Sequence, residues 1–205
     1  MSAVEAGLAP PKGAGSRAAL WTLASLALMG AFAAILLAMG RDPICPCGTV
    51  ELWHAAANDS GTSQHISDWY SLSHVIHGFL FYGAAHLIGR VRGKPLGFGL
   101  ALLLAIAVEG GWELLENSSF IIDRYRETTA SDAYAGDSVL NSMADIGFMA
   151  LGFLVARIAP VWAVVAAAIG MELLALYVIR DNLTLNVLMI LWPLEAVKHW
   201  QAAVR

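Results

Sequence analysis

Residues 96–116 read LGFGLALLLAIAVEGGWELLE, an apolar run that carries three carboxylates within its last eight positions. A helix needs about 20 apolar residues to cross the hydrocarbon core of a bilayer, so this run is long enough to span it. Glu109, Glu113 and Glu116 are spaced four and three apart, which places them within an arc of about 60° on one helical face. An ionisable side chain costs at least about 2.5 kcal/mol inside a membrane helix, so this face predicts a site within a helical bundle.

The composition of the whole chain indicates a membrane protein. Of its 205 residues, 58% are hydrophobic and 14% are charged, whereas about a quarter of a soluble domain is charged. The 12 Lys and Arg residues are outnumbered by 16 Asp and Glu residues, and they form no basic block. The sequence therefore predicts membrane lipids, and not nucleic acid, as the partner.

Charged residues separate the chain into six apolar runs. The runs cover residues 18–39, 71–89, 96–116, 138–156, 161–179 and 183–197. The last run is short and contains Pro193, so it either spans or forms an interfacial or re-entrant segment. The fold class is therefore all-α, a polytopic transmembrane helical bundle of five to six spans. We expect one domain over residues 18–205, preceded by a disordered cytoplasmic tail at residues 1–17.

Lys and Arg residues predict the orientation of the bundle. Arg90, Arg92 and Lys94 cluster in a short loop, where the excess of positive charge on the cytoplasmic side is most dependable. With both termini in the cytoplasm, eight Lys and Arg residues lie inside and four lie outside. The two long loops, residues 41–70 and 117–137, then lie on the outer side.

Two other runs carry polar stripes at the same depth as the carboxylates. His74 and His77, three apart, share one face at the outer end of the second run. Asp137, Asn141 and Asp145 repeat at intervals of four in the fourth run. Each stripe begins within about 10 Å of the outer end of its run, so we expect the stripes to converge inside the bundle beneath the outer surface.

The expected cluster holds too many carboxylates for all of them to be ionised in a medium of low dielectric constant. Either several are protonated or a cation neutralises them. Imidazoles and carboxylates on facing helices are ligands for Zn, Mn or Fe, whereas oxygens alone favour Mg or Ca. We therefore predict a divalent metal ion, Zn, Mn, Fe or Mg, bound by His74, His77, Glu113, Asp137 and Asp145.

Two further carboxylates, Glu109 and Glu116, are the predicted catalytic residues, and one or the other is expected to act as the general base. Four residues are predicted to surround and support the ligands: Asn117, Asn141, Arg124 and Arg126. Arg124 and Arg126 could instead pair with Glu116 or Asp137 as cations. Asp137 also suits the N-cap of a helix. Salt bridging and capping thus stay open as alternatives to metal binding.

Cys45 and Cys47 lie in the first outer loop as Cys-Pro-Cys-Gly. An oxidising compartment permits a disulfide there. His54 and His65 make a metal site an alternative, but the spacing matches neither a zinc motif nor a haem attachment motif. We favour a structural or redox-labile thiol pair.

Six segments carry a resemblance to a known family. They are CPCG at 45–48, SQHISDWY at 63–70, SHVIHGF at 73–79, WELLEN at 112–117, DRYR at 123–126 and GDSVLNS at 136–142. From residue 41 onward the chain resembles the uncharacterised protein family UPF0314, bacterial inner-membrane proteins met mostly in alphaproteobacteria. The resemblance implies a multi-pass protein of the inner membrane and brings no established activity.

A looser likeness is to VanZ-like membrane proteins, which have a helix-borne His, then a Glu, then a late Asp and Asn. The corresponding residues here are His74 or His77, Glu109 or Glu113, Asp137 and Asn141. This likeness implies a bundle whose polar layer is functional.

Three functions follow from the expected site. The first is a metal-dependent hydrolase or transferase that acts on a lipid or headgroup at the outer leaflet. The second is a carrier of protons or cations, which requires a polar path through the inner halves of the helices. Those inner halves are almost wholly apolar and no inverted repeat is evident. The third is a non-catalytic assembly subunit that uses its outer loops as the contact surface.

Overall fold

The computed structural model describes residues 14–130 and 134–203, and these residues form eight α-helices and no strand. The helices are α1 Ala14–Ala38, α2 Ser71–Val91, α3 Phe98–Glu116, α4 Ser119–Thr128, α5 Val139–Ile158, α6 Val161–Ile179, α7 Leu183–Leu191 and α8 Glu195–Ala202. Residues 1–13 of the expected tail lie outside the described residues, and residues 14–17 already belong to α1.

Four helices are long and apolar enough to cross a membrane: Gly15–Ala38, Phe98–Glu116, Val139–Ile158 and Val161–Ile179. α6 shows this most plainly. Of its residues, all of which are described, Ala175 alone is buried, while Trp162 is 75% and Leu173 is 59% exposed. A helix with apolar side chains all around its exposed surface suits a lipid environment. The chain has the features of a membrane protein.

The closest helix pair is α2 and α5, which run parallel. A Cβ atom on Gly78 would lie 2.1 Å from the carbonyl oxygen of Met149, and one on Gly152 would lie 2.1 Å from that of Val75. Glycine at both positions lets the two backbones approach, as small residues do in membrane helix pairs. This contact brings the first turns of α2 level with those of α5.

α1 packs against α3, and these two helices also run parallel to each other. Trp21 covers Gly99 and Phe32 covers Gly110. α3 is antiparallel to α5, because Phe98 at its start contacts Phe153 near the end of α5, with ring centroids 5.9 Å apart. The apolar core between these helices consists of Phe32, Ala101, Ala105, Ile106, Ile146, Met149 and Phe153.

The two ends of the bundle differ in composition. One end, here the loop end, carries residues 41–70 and α4; the other, the basic end, carries Arg90, Lys94 and Arg157. At the loop end, residues 41–70 supply acceptors to the first N–H groups of α5, which lack partners within the helix. The Val139 amide donates to the carbonyl oxygen of Asp42 at 2.8 Å, for example. The segment therefore closes the loop end of the bundle.

Cys45 and Cys47 form a disulfide within this segment. This is the thiol pair that the sequence favoured over a metal site. The second expected loop, residues 117–137, is not wholly irregular, because it contains α4. Ser118 caps this helix by accepting a hydrogen bond from the Ile121 amide.

The segment 183–197 does not form one continuous helix of the kind expected for a sixth transmembrane span. α7 ends at Leu191, and Pro193, which cannot continue a helix, separates it from α8. α8 then turns back, so that Gln201 Nε2 donates to Asp181 Oδ1 at 3.2 Å. The described C-terminal residues thus return to the loop end, whereas α1 begins at the basic end. The arrangement of the described residues does not confirm the expectation that both termini lie on one side.

Candidate functional site

A cavity of about 270 Å³ opens at the loop end, bordered mainly by α2, α3 and α7, with Asp145 contributed by α5. Its polar residues include His74, His77, Glu109, Glu116, Asp137 and Asp145. Residues of all three predicted stripes therefore meet in one place, although Asp137 lies before the start of α5 and Asn141 does not line the cavity. Apolar side chains, among them Phe81, Val108 and Val187, form the other part of the wall.

Glu109 joins the two imidazoles of α2. His74 Nδ1 lies 2.6 Å from Glu109 Oε1, and His77 Nδ1 lies 3.0 Å from the same oxygen and 3.1 Å from Oε2. The three residues can each offer a ligand atom, and these atoms lie within 4.8 Å of one another. We call this group the imidazole site. It has the donors of a Zn, Mn or Fe site, two imidazoles and a carboxylate.

Two more carboxylates approach His74. Glu113 Oε1 lies 3.7 Å from Nδ1, and Asp145 Oδ2 lies 3.7 Å from Nε2. Ser71, one turn before His74 on α2, donates its hydroxyl to Asp145 Oδ1 at 3.2 Å. His74, Glu113 and Asp145 form a second group compatible with a metal ion, so His74 belongs to two possible ligand sets.

Glu113 is the carboxylate of the site whose burial is least compensated by hydrogen bonds. Its side chain is completely buried, and neither carboxylate oxygen has a hydrogen-bond partner. Burying an ionised carboxylate is costly unless a hydrogen bond or an opposite charge compensates it. His74 at 3.7 Å is its one ion-pair contact among the described residues. A bound cation or a proton would remove the remaining cost.

Asp137 is held in place by two donors. Asn117 Nδ2 donates to Oδ2 at 2.8 Å, and the Tyr134 hydroxyl donates to Oδ1 at 2.8 Å. Burial raises the pKa of Asp137 above its ordinary value, although both hydrogen bonds act in the opposite direction. The expected N-cap role belongs instead to Ser138, whose side chain accepts from the Asn141 amide.

Glu116 faces the cavity beside Asp137. Tyr125 of α4 donates its hydroxyl to Glu116 Oε1 at 3.0 Å. Burial raises the pKa of Tyr125 well above its ordinary value, so this phenol stays a donor. Glu113, Glu116 and Asp137 form a third group whose ligand atoms lie within 4.8 Å of one another. We call this group the carboxylate site.

The two asparagines expected to support the ligands lie in different places. Asn117 contacts the site, because it donates to Asp137 and accepts from the Asp137 amide at 2.7 Å. Asn141 points away from the carboxylates and donates to the carbonyl oxygen of His65 at 2.9 Å. Asn117 thus orients a predicted ligand, whereas Asn141 fastens the segment 41–70 to α5.

The two arginines do not neutralise the site. Arg124 Nε donates to the carbonyl oxygen of Ile190 at 2.9 Å, and Arg126 Nε donates to that of Tyr134 at 2.6 Å. Within residues 14–130 and 134–203, neither forms an ion pair with Glu116 or Asp137. They position α7 and the segment before α5 rather than the carboxylates.

Three polar contacts of the site were not among the expected residues: Ser71, Tyr125 and Tyr134. Ser71 had a signal, since it lies three positions before His74 and so shares its face. The tyrosines had none, because they lie in the connection between α3 and α5 and reach the site through tertiary packing.

The fold and this cluster define a class, a helical membrane protein with buried imidazoles and carboxylates gathered near one end. The chain belongs to the UPF0314 family, whose model, described as "Protein of unknown function (DUF2585)", matches residues 36–203. It is similar to a UPF0314 protein of Novosphingobium aromaticivorans, with 60% identity over 86% of this chain and 91% of the relative.

Other relatives are almost as similar. A UPF0314 protein of Rhizobium johnstonii is 56% identical over 90% of this chain and 92% of its own length. One of Agrobacterium fabrum is 51% identical over 92% of this chain and 93% of its own length. No solved structure matches the chain. The likeness to VanZ-like proteins stays an expectation.

Proposed function

We propose that this chain is a metal-dependent hydrolase or transferase of the bacterial inner membrane that acts on a lipid or a lipid headgroup. The observation that carries the proposal is the meeting of the imidazole site with an apolar opening in one cavity. An apolar wall beside a cluster of charged groups suits an amphipathic substrate such as a lipid. The bacterial relatives agree with this location.

The donor set supports a divalent ion at the imidazole site. His74 and His77 lie on one face of α2, and Glu109 comes from α3, so the three donors are fixed by two packed helices. Glu113 and Asp145 stand next to His74 and can add oxygen ligands. When bound, such an ion lowers the pKa of coordinated water and polarises a carbonyl or phosphoryl oxygen. Relative to the sequence-based assignment, Glu109 changes from a general base to a ligand.

Glu116 is the better placed general base. It lines the cavity, and the Tyr125 hydroxyl fixes its orientation. Its carboxylate lies one helical turn from Glu113 on α3, so it faces the same space as the ligands. In this role Glu116 would accept a proton from the attacking water or alcohol.

The shape of the cavity supports a lipid substrate. Val108 and Val187, which line it, are 57% and 45% exposed on the outside of the bundle. Phe81 and Leu183 continue the apolar wall inward. An amphipathic molecule could therefore keep its acyl chain in the bilayer while its headgroup reaches the carboxylates.

The topology that fits this proposal has five spans, α1, α2, α3, α5 and α6, with the N-terminus in the cytoplasm. α2 has 21 residues, about 31 Å at 1.5 Å per residue, and lies alongside α5. Arg90, Arg92 and Lys94 then face the cytoplasm. The loop end, including residues 41–70 and α7 with α8, lies on the outer side, and residues 18–205 form one domain.

A carrier of protons or cations is the second candidate, because Glu113 is buried without a hydrogen-bond partner. Transport requires polar groups that continue toward the basic end. Between the site and that end the core consists of apolar residues such as Ala101, Met149 and Phe153. The enzyme proposal needs no such path, and we therefore place it first.

The test uses the full chain purified in detergent. We expect about one Zn, Mn or Fe ion per chain by elemental analysis, and loss of that ion in His77→Ala and Glu113→Ala. His86→Ala, an exposed histidine on the same helix, is the matched control and should keep the metal. Incubation with a phospholipid extract, followed by mass spectrometry, should show a changed headgroup with the wild type only.

Two results would contradict the proposal. One is a wild-type protein that takes up no stoichiometric metal when Zn²⁺, Mn²⁺ or Fe²⁺ is supplied. The other is a set of His77→Ala and Glu113→Ala variants that match the wild type in both metal content and lipid products.

A further inference from the structure

We infer that the cavity holds a second cation position, made of oxygen ligands only, at the carboxylate site of Glu113, Glu116 and Asp137. It would take a hard divalent ion, Mg²⁺, Mn²⁺ or Ca²⁺, beside the ion at the imidazole site. The inference deepens the proposed function and rests on it for the first ion. It changes the site from a one-ion centre to a two-ion centre, in which Glu116 is a ligand of the second ion in place of the general base.

The geometry separates the two positions. The imidazole site consists of His74, His77 and Glu109, and the carboxylate site shares no residue with it. Glu109, Glu113 and Glu116 follow one another along a single face of α3. The two positions are therefore neighbours along one helix, and Glu113, which also lies 3.7 Å from His74, stands between them.

Glu113 is an independent indication that this site binds an ion. It is completely buried, and both of its oxygens lack a hydrogen-bond partner. Buried carboxylates without such partners are rare in proteins, because the lost hydration is not replaced. One of its oxygens lies within 4.8 Å of a ligand atom of Glu116 and of one of Asp137. An ion among these three groups would replace the missing partner.

The other two carboxylates are already oriented by neutral donors. Asn117 and Tyr134 hold Asp137, and Tyr125 holds Glu116. Such outer contacts are what fix ligand carboxylates in metal sites. They orient the oxygens but supply no positive charge, so they leave the charge of the group uncompensated.

No basic side chain in the described ranges 14–130 and 134–203 forms an ion pair with Glu116 or Asp137, and Glu113 has only His74. Arg41 lies beside Gly136, but its Nη1 donates to the carbonyl oxygen of Ala135. Three carboxylates therefore face one another with little positive charge. An all-oxygen set of this kind selects Mg²⁺, Mn²⁺ or Ca²⁺ over Zn²⁺.

The experiment titrates the metal-stripped full chain with Mn²⁺ after the imidazole site has been filled with one equivalent of Zn²⁺. Electron paramagnetic resonance of free Mn²⁺ gives the bound amount. We expect one Mn²⁺ per chain, displaced by excess Mg²⁺ or Ca²⁺. Asp137→Asn and Glu116→Gln should weaken Mn²⁺ binding by at least about tenfold while Zn²⁺ binding persists.

His77→Ala should show the reverse pattern, with Zn²⁺ lost and Mn²⁺ retained. Asp123→Asn, which removes an exposed carboxylate on α4, is the control and should bind both ions as the wild type does. Retained Zn²⁺ in Asp137→Asn also shows that this variant is folded.

The outcomes separate the two proposals. A wild type that binds Zn²⁺ but no stoichiometric Mn²⁺, or an Asp137→Asn variant with unchanged Mn²⁺ affinity, overturns the second position and leaves the proposed function intact. A second equivalent of Zn²⁺ that excludes Mn²⁺ overturns the preference for a hard ion. A protein that binds neither ion overturns the proposed function as well.

Discussion

Two regions of this molecule surround histidine with carboxylates, and they do so differently. In the segment 41–70, His54 Nδ1 lies 2.9 Å from Glu51 and Nε2 lies 2.9 Å from Asp59. Each ring nitrogen has one acidic partner, and all three residues lie within nine positions of the chain. In the bundle, His74 and His77 meet carboxylates from two other helices, α3 and α5.

The difference lies in the balance of charge. Five carboxylates gather around two imidazoles in the bundle: Glu109, Glu113, Glu116, Asp137 and Asp145. Even with both imidazoles protonated, three negative charges would remain. The loop network has a partner for each ring nitrogen and is partly open to solvent. The loop therefore stabilises itself, whereas the bundle needs a cation or protons from outside the chain.

Removing one imidazole from each region should give the largest difference between the two regions. Zn²⁺ at about 1,000 times its Kd should raise the free energy of unfolding by about 4 kcal/mol. His77→Ala should abolish this gain, whereas His54→Ala should keep it. Thermal unfolding in detergent, with and without Zn²⁺, measures both. Equal Zn²⁺ effects in the two variants would contradict the assignment of the metal to the bundle.

Asp181 sharpens the comparison, because it is buried but has hydrogen-bond donors in Tyr70, Asn182 and Gln201. Burial raises its pKa from 3.8 to about 6. Since the folded-state pKa is the higher one, ionisation costs more in the folded state. The free energy of unfolding should fall by roughly 3 kcal/mol as pH rises from about 4 to about 6, then level off.

Asp181→Asn should remove that fall, which denaturant unfolding at a series of pH values would reveal. If the free energy of unfolding of the wild type instead rose between pH 4 and pH 6 relative to that of Asp181→Asn, the direction of the pKa shift would be wrong.

The close contact of α2 with α5 holds the bundle site together and has no counterpart in the loop. Gly152→Ala would place a Cβ 2.1 Å from a backbone oxygen of Val75, so we expect a loss of about 1 to 3 kcal/mol. Gly147→Ala is the control on the same helix, because nothing lies within 4 Å of its Cβ. It should leave stability unchanged or raise it slightly. Similar losses in both variants would argue against the contact.

The smallest effect concerns His54. Burial lowers its pKa, but the hydrogen bonds with Glu51 and Asp59 outweigh this and raise the pKa above 6.5. The stability from this network is therefore complete below about pH 6.5 and is lost as pH rises through the higher folded-state pKa. We expect less than about 1 kcal/mol, because the pairs are partly exposed. Unfolding of His54→Gln between pH 6 and 9 should show a flatter profile.

Much of the bundle follows from periodicity in the sequence. The spacing of Glu109, Glu113 and Glu116 placed three carboxylates on one face of α3, and that of His74 with His77 placed two imidazoles on one face of α2. Burial of charge in lipid is so costly that these faces had to meet. The residues that meet were thus predictable, although which atoms contact one another was not.

Other features depend on contacts that periodicity does not encode. Asn141 lies on the same stripe as Asp145 but bonds to His65, because residues 41–70 occupy the space before α5. Pro193 marked a break, yet the return of α8 to Asp181 depends on tertiary hydrogen bonds. The parallel packing of α2 with α5 rests on Gly78 and Gly152, and glycines are too frequent in apolar runs to single these out.

The pairing of α2 with α5 has a consequence for biosynthesis. At 5 to 20 residues per second, a ribosome needs about 4 to 14 s to translate the 71 positions from His74 to Asp145. During this interval α2 and α3 already carry His74, His77 and Glu109, but Asp145 and the helix that packs against His74 have not yet been synthesised. The three residues of the imidazole site thus enter the membrane before the helix that encloses them, so α5 completes the burial of the site and not its first donor set.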